Sequence, residues 1–598
     1  MRGTAARLCP ARLGLGRLGL TLVAVTVLAA AISSPALGAP AVAVSPLNGT
    51  PDASPYTQIS FLGVPASEIS DVSVVGSRTG RHTGQMRSYQ SAPGASYVPS
   101  QQFSQGERVT ASASIGPKGH TSTVRTTFTV ARLANFPLVT PKPQFSTGHG
   151  NTLSFHSQPK LDPSVVKVTA NSGSTPGDIF VTPTHGWGQP GAMILNANGG
   201  LVWFHPVPSG DTATDLQVQA YGGQPVLTFW EGKIPYSLGV GFGRDEILNA
   251  AYQPVASVGA GNGYKADLHE FQLTPSGSAF LTAYTLVDAD LSSAGGKSDG
   301  LLQDALFQEV DVATGLVMFE WHAYGHVALQ DSYSEPAHYT EHPWDFFHMN
   351  SISLDPWGDG NMIISSRNTW TAYEINHITG AVMWRVGGKK SSFKMGAGTG
   401  TAYQHDVRWQ PDHTLTMFDN GAVPKVHSLT RIIRERIDWK HRSVSLVGRY
   451  TGGILSGSQG NDEVLPDGNS FVGWGEEPFI TEFSSTGKIL FSARFPSPNQ
   501  SYRAYRYTWN ATPASRPALA VESSSAKATV YASWNGATGV SAWQVLGGAS
   551  ASSLAPVASA PSAGFETPIT VPAAPAVLAV QALGPEGQVL SSSAVVPR

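Results

Sequence analysis

The residues best equipped for chemistry in this 598-residue chain are its histidines, and twelve of the seventeen lie between His185 and His427. The densest group is Pro343-Trp344-Asp345-Phe346-Phe347-His348-Met349-Asn350-Ser351. Ser365-Ser366-Arg367-Asn368 follows, and further on Tyr403-Gln404-His405-Asp406. Neutral imidazole is a competent nucleophile near pH 7. A planar guanidinium suits an oxyanion, and imidazole and amide donors can complete its cradle. These residue types together point to an anion cradle. Each histidine alone has a plainer use, because one at a strand end usually just bonds a backbone carbonyl.

Two other patterns resemble metal sites. His338-Tyr339-Thr340-Glu341-His342 has the spacing of some zinc peptidases. That motif needs a helix, and Pro336 and Pro343 leave too little room for one. Asp355-Pro356-Trp357-Gly358-Asp359-Gly360-Asn361 spaces its acids like a calcium loop. It lacks the closing bidentate glutamate and reads as a turn between strands.

The elements that hold these residues are legible from composition. Only 13% of residues are charged, with 64 Gly and 42 Pro, which disfavours helical bundles and favours short strands joined by tight turns. Fourteen Trp and eighteen Tyr exclude a disordered chain. The net charge of −3 and the lack of a long basic run argue against a nucleic-acid partner. Residues 1–38 read as a secretion signal: Arg2, Arg7, Arg12 and Arg17, an apolar run from Leu18 to Ile32, then Ala36-Leu37-Gly38. A retained membrane anchor is the other reading of that segment. Without it, 34 basic residues face 41 acidic ones, a charge of −7, and the only cysteine, Cys9, is gone. No transmembrane segment is expected after signal removal, and the protein is expected to be secreted or extracytoplasmic.

Residues 41–131 contain alternating pieces such as Val124-Arg125-Thr126-Thr127-Phe128-Thr129-Val130 and predict a small β-sandwich. Residues 132–180, with Pro137, Pro141, Pro143 and Pro159, read as an extended connector. Residues 181–509 carry a loose repeat: a strand, a glycine turn and a second strand ending in an aromatic. Copies lie at Ile194–Trp203, Gln308–Phe319, Tyr373–Trp384 and Thr481–Phe491, with weaker ones at Glu246–Val258 and Ile432–Val447. Six such units predict a six-bladed β-propeller. Residues 513–598 predict a second small β-sandwich. The expected fold is therefore all-β, a propeller between two Ig-like sandwiches. Trp230, Trp344, Trp370, Trp409 and Trp474 are core residues or walls of an aromatic funnel.

In its order of motifs, the stretch 155–509 resembles the arylsulfotransferase family, six-bladed propellers that move sulfate between phenols without a nucleotide donor. The resemblance rests on Asp345 to Ser351, Ser365-Ser366-Arg367, Thr379-Gly380 with Trp384-Arg385-Val386-Gly387-Gly388, and Gln404-His405-Asp406. Ser458-Gln459-Gly460-Asn461 and Ser501-Tyr502-Arg503 look like later landmarks. The flanking sandwiches, and a segment between Arg367 and His405 that looks shorter, mark a divergent member.

The resemblance implies that His405 takes the sulfuryl group as a transient sulfohistidine. It implies that His348, Asn350 and Arg367 hold the sulfate, with His269 from Asp267-Leu268-His269-Glu270 contributed by an earlier blade. His405, His348 and Arg367 are the expected catalytic residues; His269, Asn350 and Gln459 are expected to bind substrate, although Gln459 also fits a turn. The implied reaction is transfer from an aryl sulfate donor to a phenolic acceptor by a ping-pong route, with no cofactor and no metal. Transfer through a loose transition state depends mainly on positioning and charge. A hydrolase using water at the same site, and a non-catalytic propeller that binds carbohydrate or protein, stay open. So does a homo-oligomer.

Overall fold

Low charge, abundant glycine and alternating apolar residues leave the backbone one economical way to satisfy itself, pairing strand with strand. The computed structural model describes residues 42–598, apart from 135, 138–144, 149, 236–237, 340–341, 524–526 and 573–574. Every regular element among them is a strand or a single 3-10 turn. None is a helix long and apolar enough to cross a membrane. The segment 1–38, read as a secretion signal, lies outside the described residues.

Six four-stranded antiparallel blades form the centre. From the axis outward, blade 2 is Thr212–Tyr221, Gln224–Lys233, Phe242–Leu248 and Pro254–Val258. Blade 3 is Ala266–Leu273, Ser278–Ala289, Gly300–Asp311 and Val317–His322. Blade 4 is Met349–Leu354, Met362–Ser366, Thr371–Ile375 and Val382–Gly387. Blade 5 is His405–Trp409, Thr414–Asp419, Arg431–Asp438 and Ser443–Tyr450. Blade 6 is Asn461–Val464, Ser470–Gly473, Phe479–Phe483 and Ile489–Arg494.

Blade 1 closes the ring. Its inner strand, Gln500–Tyr507, follows blade 6 in the chain and pairs with Asp178–Thr184, which leads out to Gly191–Leu195 and Leu201–Pro206. The six inner strands touch in succession around the axis. Such closure leaves no inner sheet edge open to pair with another chain. All six hairpins read from the sequence are the outer strand pairs of the blades. Four of their turns use left-handed glycines where the hairpin demands positive φ, for example Gly315 at 70° and Gly380 at 69°, while Tyr252 and Arg442 take that conformation in blades 2 and 5. Lys167–Asn171, within the stretch read as a connector, adds a fifth strand outside blade 6.

Each flank is a pair of packed sheets. The N-terminal sandwich closes around Ile59, Phe61, Val74, Val109 and Phe128. Its strand Arg108–Ile115 alternates buried and less buried residues along its length, the pattern of a one-faced sheet. This sandwich docks on blade 3, where Ser60 and Ser96 hydroxyls both donate to the Val317 carbonyl. The C-terminal sandwich packs around Val530, Trp543, Val545 and Ile569. It meets blade 1 through Asn535, whose amide exchanges hydrogen bonds with the Phe204 backbone.

The structure separates the funnel tryptophans. Trp230, Trp344 and Trp474 are fully buried core. Trp409 packs between blades 4 and 5 with Trp384 and Val407. Trp370 stacks on Tyr333 at 3.6 Å. Around the zinc-like histidine pattern, residues 336–338 make one 3-10 turn, and Thr340 and Glu341 lie outside the described residues. The Asp355 segment is a turn between the first two strands of blade 4, with Asp355 and Asp359 accepting backbone N–H groups.

Candidate functional site

An inner strand that runs regularly presents its side chains to the neighbouring blades. These strands break register near the axis, between Thr214 and Gln217, Ala266 and Phe271, Met349 and Ser351, and His405 and Arg408. Such bulges re-aim side chains. Asp215, His348, Asp406 and Gln459 adopt left-handed backbone angles, φ 57°, 55°, 54° and 64°. Strain of that kind, about 1–3 kcal/mol per residue, collects at functional sites. Four of the blades thereby direct polar side chains toward one place on the axis, and blade 6 adds the Gln459 backbone.

His269, from the inner strand of blade 3, meets His348, which opens the inner strand of blade 4. Their Nε2 atoms lie 3.2 Å apart with the rings edge-on. His269 Nδ1 is 2.6 Å from Asp267 Oδ2, and His348 Nδ1 is 2.5 Å from Asp345 Oδ2. Each carboxylate fixes its ring with the Nδ1 proton facing it. Two Nε2 lone pairs cannot face each other at this distance without a proton between them, so the pair holds one shared N–H···N proton. Burial, then the nearby Arg367 and His269 charges, hold His348 well below the usual histidine range. Burial lifts Asp345 to about 6, against the pull of Arg367. His269 and the hydrogen bonds from Gly241 and from its own backbone bring Asp267 below its ordinary value, although burial pushes it up.

Arg367 follows the second strand of blade 4. Its guanidinium reaches Asp345 at 3.3 Å and lies 4.5 Å over the Tyr403 ring. Tyr403 in turn stands against His405, with ring centroids 6.4 Å apart. His405 begins the inner strand of blade 5, and its Nδ1 is 2.7 Å from Asn420 Oδ1. The Gln459 backbone N–H, from blade 6, points at His405 Nε2 from 3.3 Å. Both contacts select one tautomer, with the proton on Nδ1 and the lone pair on Nε2. Burial and the Arg367 charge keep His405 well below the usual histidine range. The ring is thus neutral, with its lone pair on Nε2.

Asn350 is wholly buried. Its amide donates to the Gln404 carbonyl at 2.8 Å, and its Oδ1 has no partner among the described residues. Its amide nitrogen carries a second N–H, so the Gln404 bond need not be given up for it to donate to an anion. The Gln459 side chain bonds Gln500, so this residue faces His405 with its backbone.

Below the histidines lies an ionic floor. Arg503, fully buried on the inner strand of blade 1, bonds Asp215 at 3.1 Å, Glu270 at 3.3 Å and the Asn350 carbonyl at 2.9 Å. Arg408 spans Glu270 at 2.6 Å and Asp406 at 2.8 Å. These ties hold blades 1 to 5 at the depth of the site. An apolar cavity of about 250 Å³, lined by Phe136, Leu238, Val240 and Tyr284 among others, lies behind the histidine pair. Tyr284 separates the two, with its ring 5.9 Å from that of His348.

The sequence reading did not single out Asp267, Asp345 and Asn420 as partners of the three histidines. The first two were visible as acids two and three residues before a histidine. Asn420 stands fifteen residues beyond His405, just past the end of the adjacent strand, and had no local signal.

No curated protein sequence matches the chain. Among solved structures, a protein of unknown function from Bacteroides caccae is 13% identical, covers 55% of this chain and 98% of its own, and has a TM-score of 0.34. A virginiamycin B lyase from Staphylococcus aureus is 10% identical, with 62% and 96% covered and a TM-score of 0.30. A quinonprotein alcohol dehydrogenase-like protein from Bacteroides thetaiotaomicron is 10% identical, with 77% and 96% covered and a TM-score of 0.25. These likenesses are too distant to bear on function. The arylsulfotransferase (ASST) model matches residues 217–496, just under half of the chain, from the inner strand of blade 2 to the end of blade 6. His269, His348, Arg367, His405 and Gln459 all fall inside that span, over which the chain is similar to the arylsulfotransferase family.

Proposed function

We propose that this protein transfers a sulfuryl group from an aryl sulfate to a phenolic acceptor through a sulfohistidine at His405. The observation that carries the reading is the tautomer of His405. Asn420 holds its Nδ1–H, which leaves the lone pair on Nε2; that nitrogen accepts the Gln459 N–H in the resting site and must release it to attack.

In the first half-reaction the ester sulfate lies between Arg367 and the His269–His348 pair. Nε2 of His405 forms the N–S bond as the ester S–O bond breaks. The developing phenolate takes the proton held between His269 and His348 and leaves as phenol. In the second half, an acceptor phenol returns a proton to that pair. Its oxygen forms the new S–O bond as N–S breaks. Arg367 offsets the anionic charge on the sulfuryl oxygens in both steps, and Asp345 and Asp267 keep the two imidazoles oriented. A phenolate is a good leaving group, which favours aryl over alkyl donors. Residues 1–38 support placement outside the cytoplasm.

The test is phenol release from a chromogenic aryl sulfate, with and without an added phenol, for the wild type and His405→Asn. Acceptor-dependent release that disappears in the variant is the expected result. Release independent of acceptor means hydrolysis. No release from folded protein across several aryl sulfates overturns the reading and favours a binding module.

A further inference from the structure

A second buried histidine site lies away from the axis, where the N-terminal sandwich meets blade 3. Asp52, from the link between strands Ala43–Ser45 and Ile59–Leu62, approaches Asp304 and His322 of blade 3. Asp52 and Asp304 oxygens and one His322 nitrogen all lie within 4.8 Å of one another. His322 Nδ1 is 2.8 Å from Asp304 Oδ2 and 3.3 Å from Asp52 Oδ1.

The other side of the ring decides what that face needs. His322 Nε2 is 3.2 Å from Glu320 Oε1. Glu320 is an acceptor held in place, because its Oε2 takes hydrogen bonds from Asn262 at 2.8 Å and Gln308 at 2.6 Å. Without an ion, both ring nitrogens hold protons toward carboxylates; an ion that displaces the Nδ1 proton turns that lone pair to itself and leaves the Nε2 proton on the Glu320 contact. Such a carboxylate–histidine pair is the outer support of many metal centres.

Two independent observations mark the space between them as wanting a cation. Asp52 is 2% exposed, and neither of its oxygens has a hydrogen-bond partner among the described residues. The Tyr264 hydroxyl, buried beside them, has none either, and the Tyr264 ring stands edge-on to His322 with centroids 6.1 Å apart. Asp52 has only the 3.3 Å contact to a His322 nitrogen already engaged by Asp304, and a buried carboxylate with no hydrogen bond of its own is costly unless a cation or proton joins it.

We propose that Asp52, Asp304 and His322 Nδ1 bind a divalent first-row metal ion. The ion ties the N-terminal sandwich to blade 3 and takes no part in sulfuryl transfer. Imidazole with two carboxylates suits Zn²⁺ or Mn²⁺. The Asp304 contact must open somewhat from its proton-bridged length to admit an ion at about 2.0–2.2 Å from each ligand atom. A Tyr264 hydroxyl or a water could complete the shell.

The test uses the full chain, stripped with chelator and dialysed, then melted and assayed for bound metal with Zn²⁺ or Mn²⁺ added. We expect one tightly held ion per chain and a melting temperature raised by several degrees. Asp52→Asn, nearly isosteric, is expected to lose both effects, whereas His405→Asn keeps them. A wild type that retains well under one ion per chain and melts alike with and without either metal overturns the proposal and leaves protons as the neutralising charge. Binding that persists undiminished in both Asp52→Asn and His322→Gln also overturns it.

Discussion

Asn420→Ala is the sharpest probe of the proposed chemistry, because it changes the nucleophile without touching it. His405 is 2% exposed, so no bulk water replaces the lost acceptor. An unpaired buried N–H costs about 1–3 kcal/mol. The cost falls mainly on the transition state, where Nε2 attacks sulfur, the ring gains positive charge and the Nδ1–H bond strengthens. At about 1.4 kcal/mol per factor of ten, that is roughly a 5- to 150-fold slower sulfation step with little change in KM. The assay is single-turnover phenol release from a chromogenic aryl sulfate. Asn420 also donates to the Ser456 and Gln459 carbonyls, so its loss affects the fold as well as the ring. Asn420→Asp removes the same donors but keeps the acceptor, which separates the two effects. We expect Asn420→Asp to run well above Asn420→Ala at matched stability. Equal rates in the two variants, or a wild-type rate in Asn420→Ala, would refute the assigned tautomer.

Arg367→Lys keeps the charge but loses the planar fork and the contact over Tyr403. It is expected to lower kcat/KM for aryl sulfate by at least tenfold, and unchanged kinetics would remove Arg367 from the sulfate cradle. Arg503→Met leaves Asp215 and Glu270 buried without their cation and should cost about 3–5 kcal/mol in denaturant unfolding; a loss under about 1 kcal/mol would mean the floor is not structural. Stability is also expected to fall as pH rises from about 7 to 9. Burial lifts Glu374, Glu435 and Glu463 from 4.5 to about 8, with neighbouring acids adding to the effect. The folded state thus binds more protons than the unfolded chain between those values, and the stability they give, full below 4.5, is lost through about 8. His348 and His405, held down in the fold, act oppositely and only up to 6.5, so they do not mask the fall. A melting temperature that rises over this range would contradict the buried state of those glutamates.

Much of the fold was legible locally. A hairpin is a short-range object: strand, turn glycine, strand. Each of the six read from the sequence sits on the outside of its blade, where contacts are between neighbours in the chain. The alternation in Arg108–Ile115 likewise reports one buried face without knowledge of its partner sheet. The inner strands were harder to read, because bulges interrupt their period near the axis. The part played by Gln500–Tyr507 was harder still, since it pairs with a strand more than three hundred residues earlier.

The candidate site divides in the same way. Residue types and short motifs determined which side chains could form an anion cradle, because imidazole, guanidinium and amide chemistry belongs to the residue, and the acids near His269 and His348 travel with them along the chain. Only the tertiary structure decided that those two histidines share a proton, that His405 presents Nε2 rather than Nδ1, and that Asp52 meets His322. Each of these depends on a distance between groups on different strands or domains. Such distances are set by ring closure and blade packing, which no local stretch of sequence encodes.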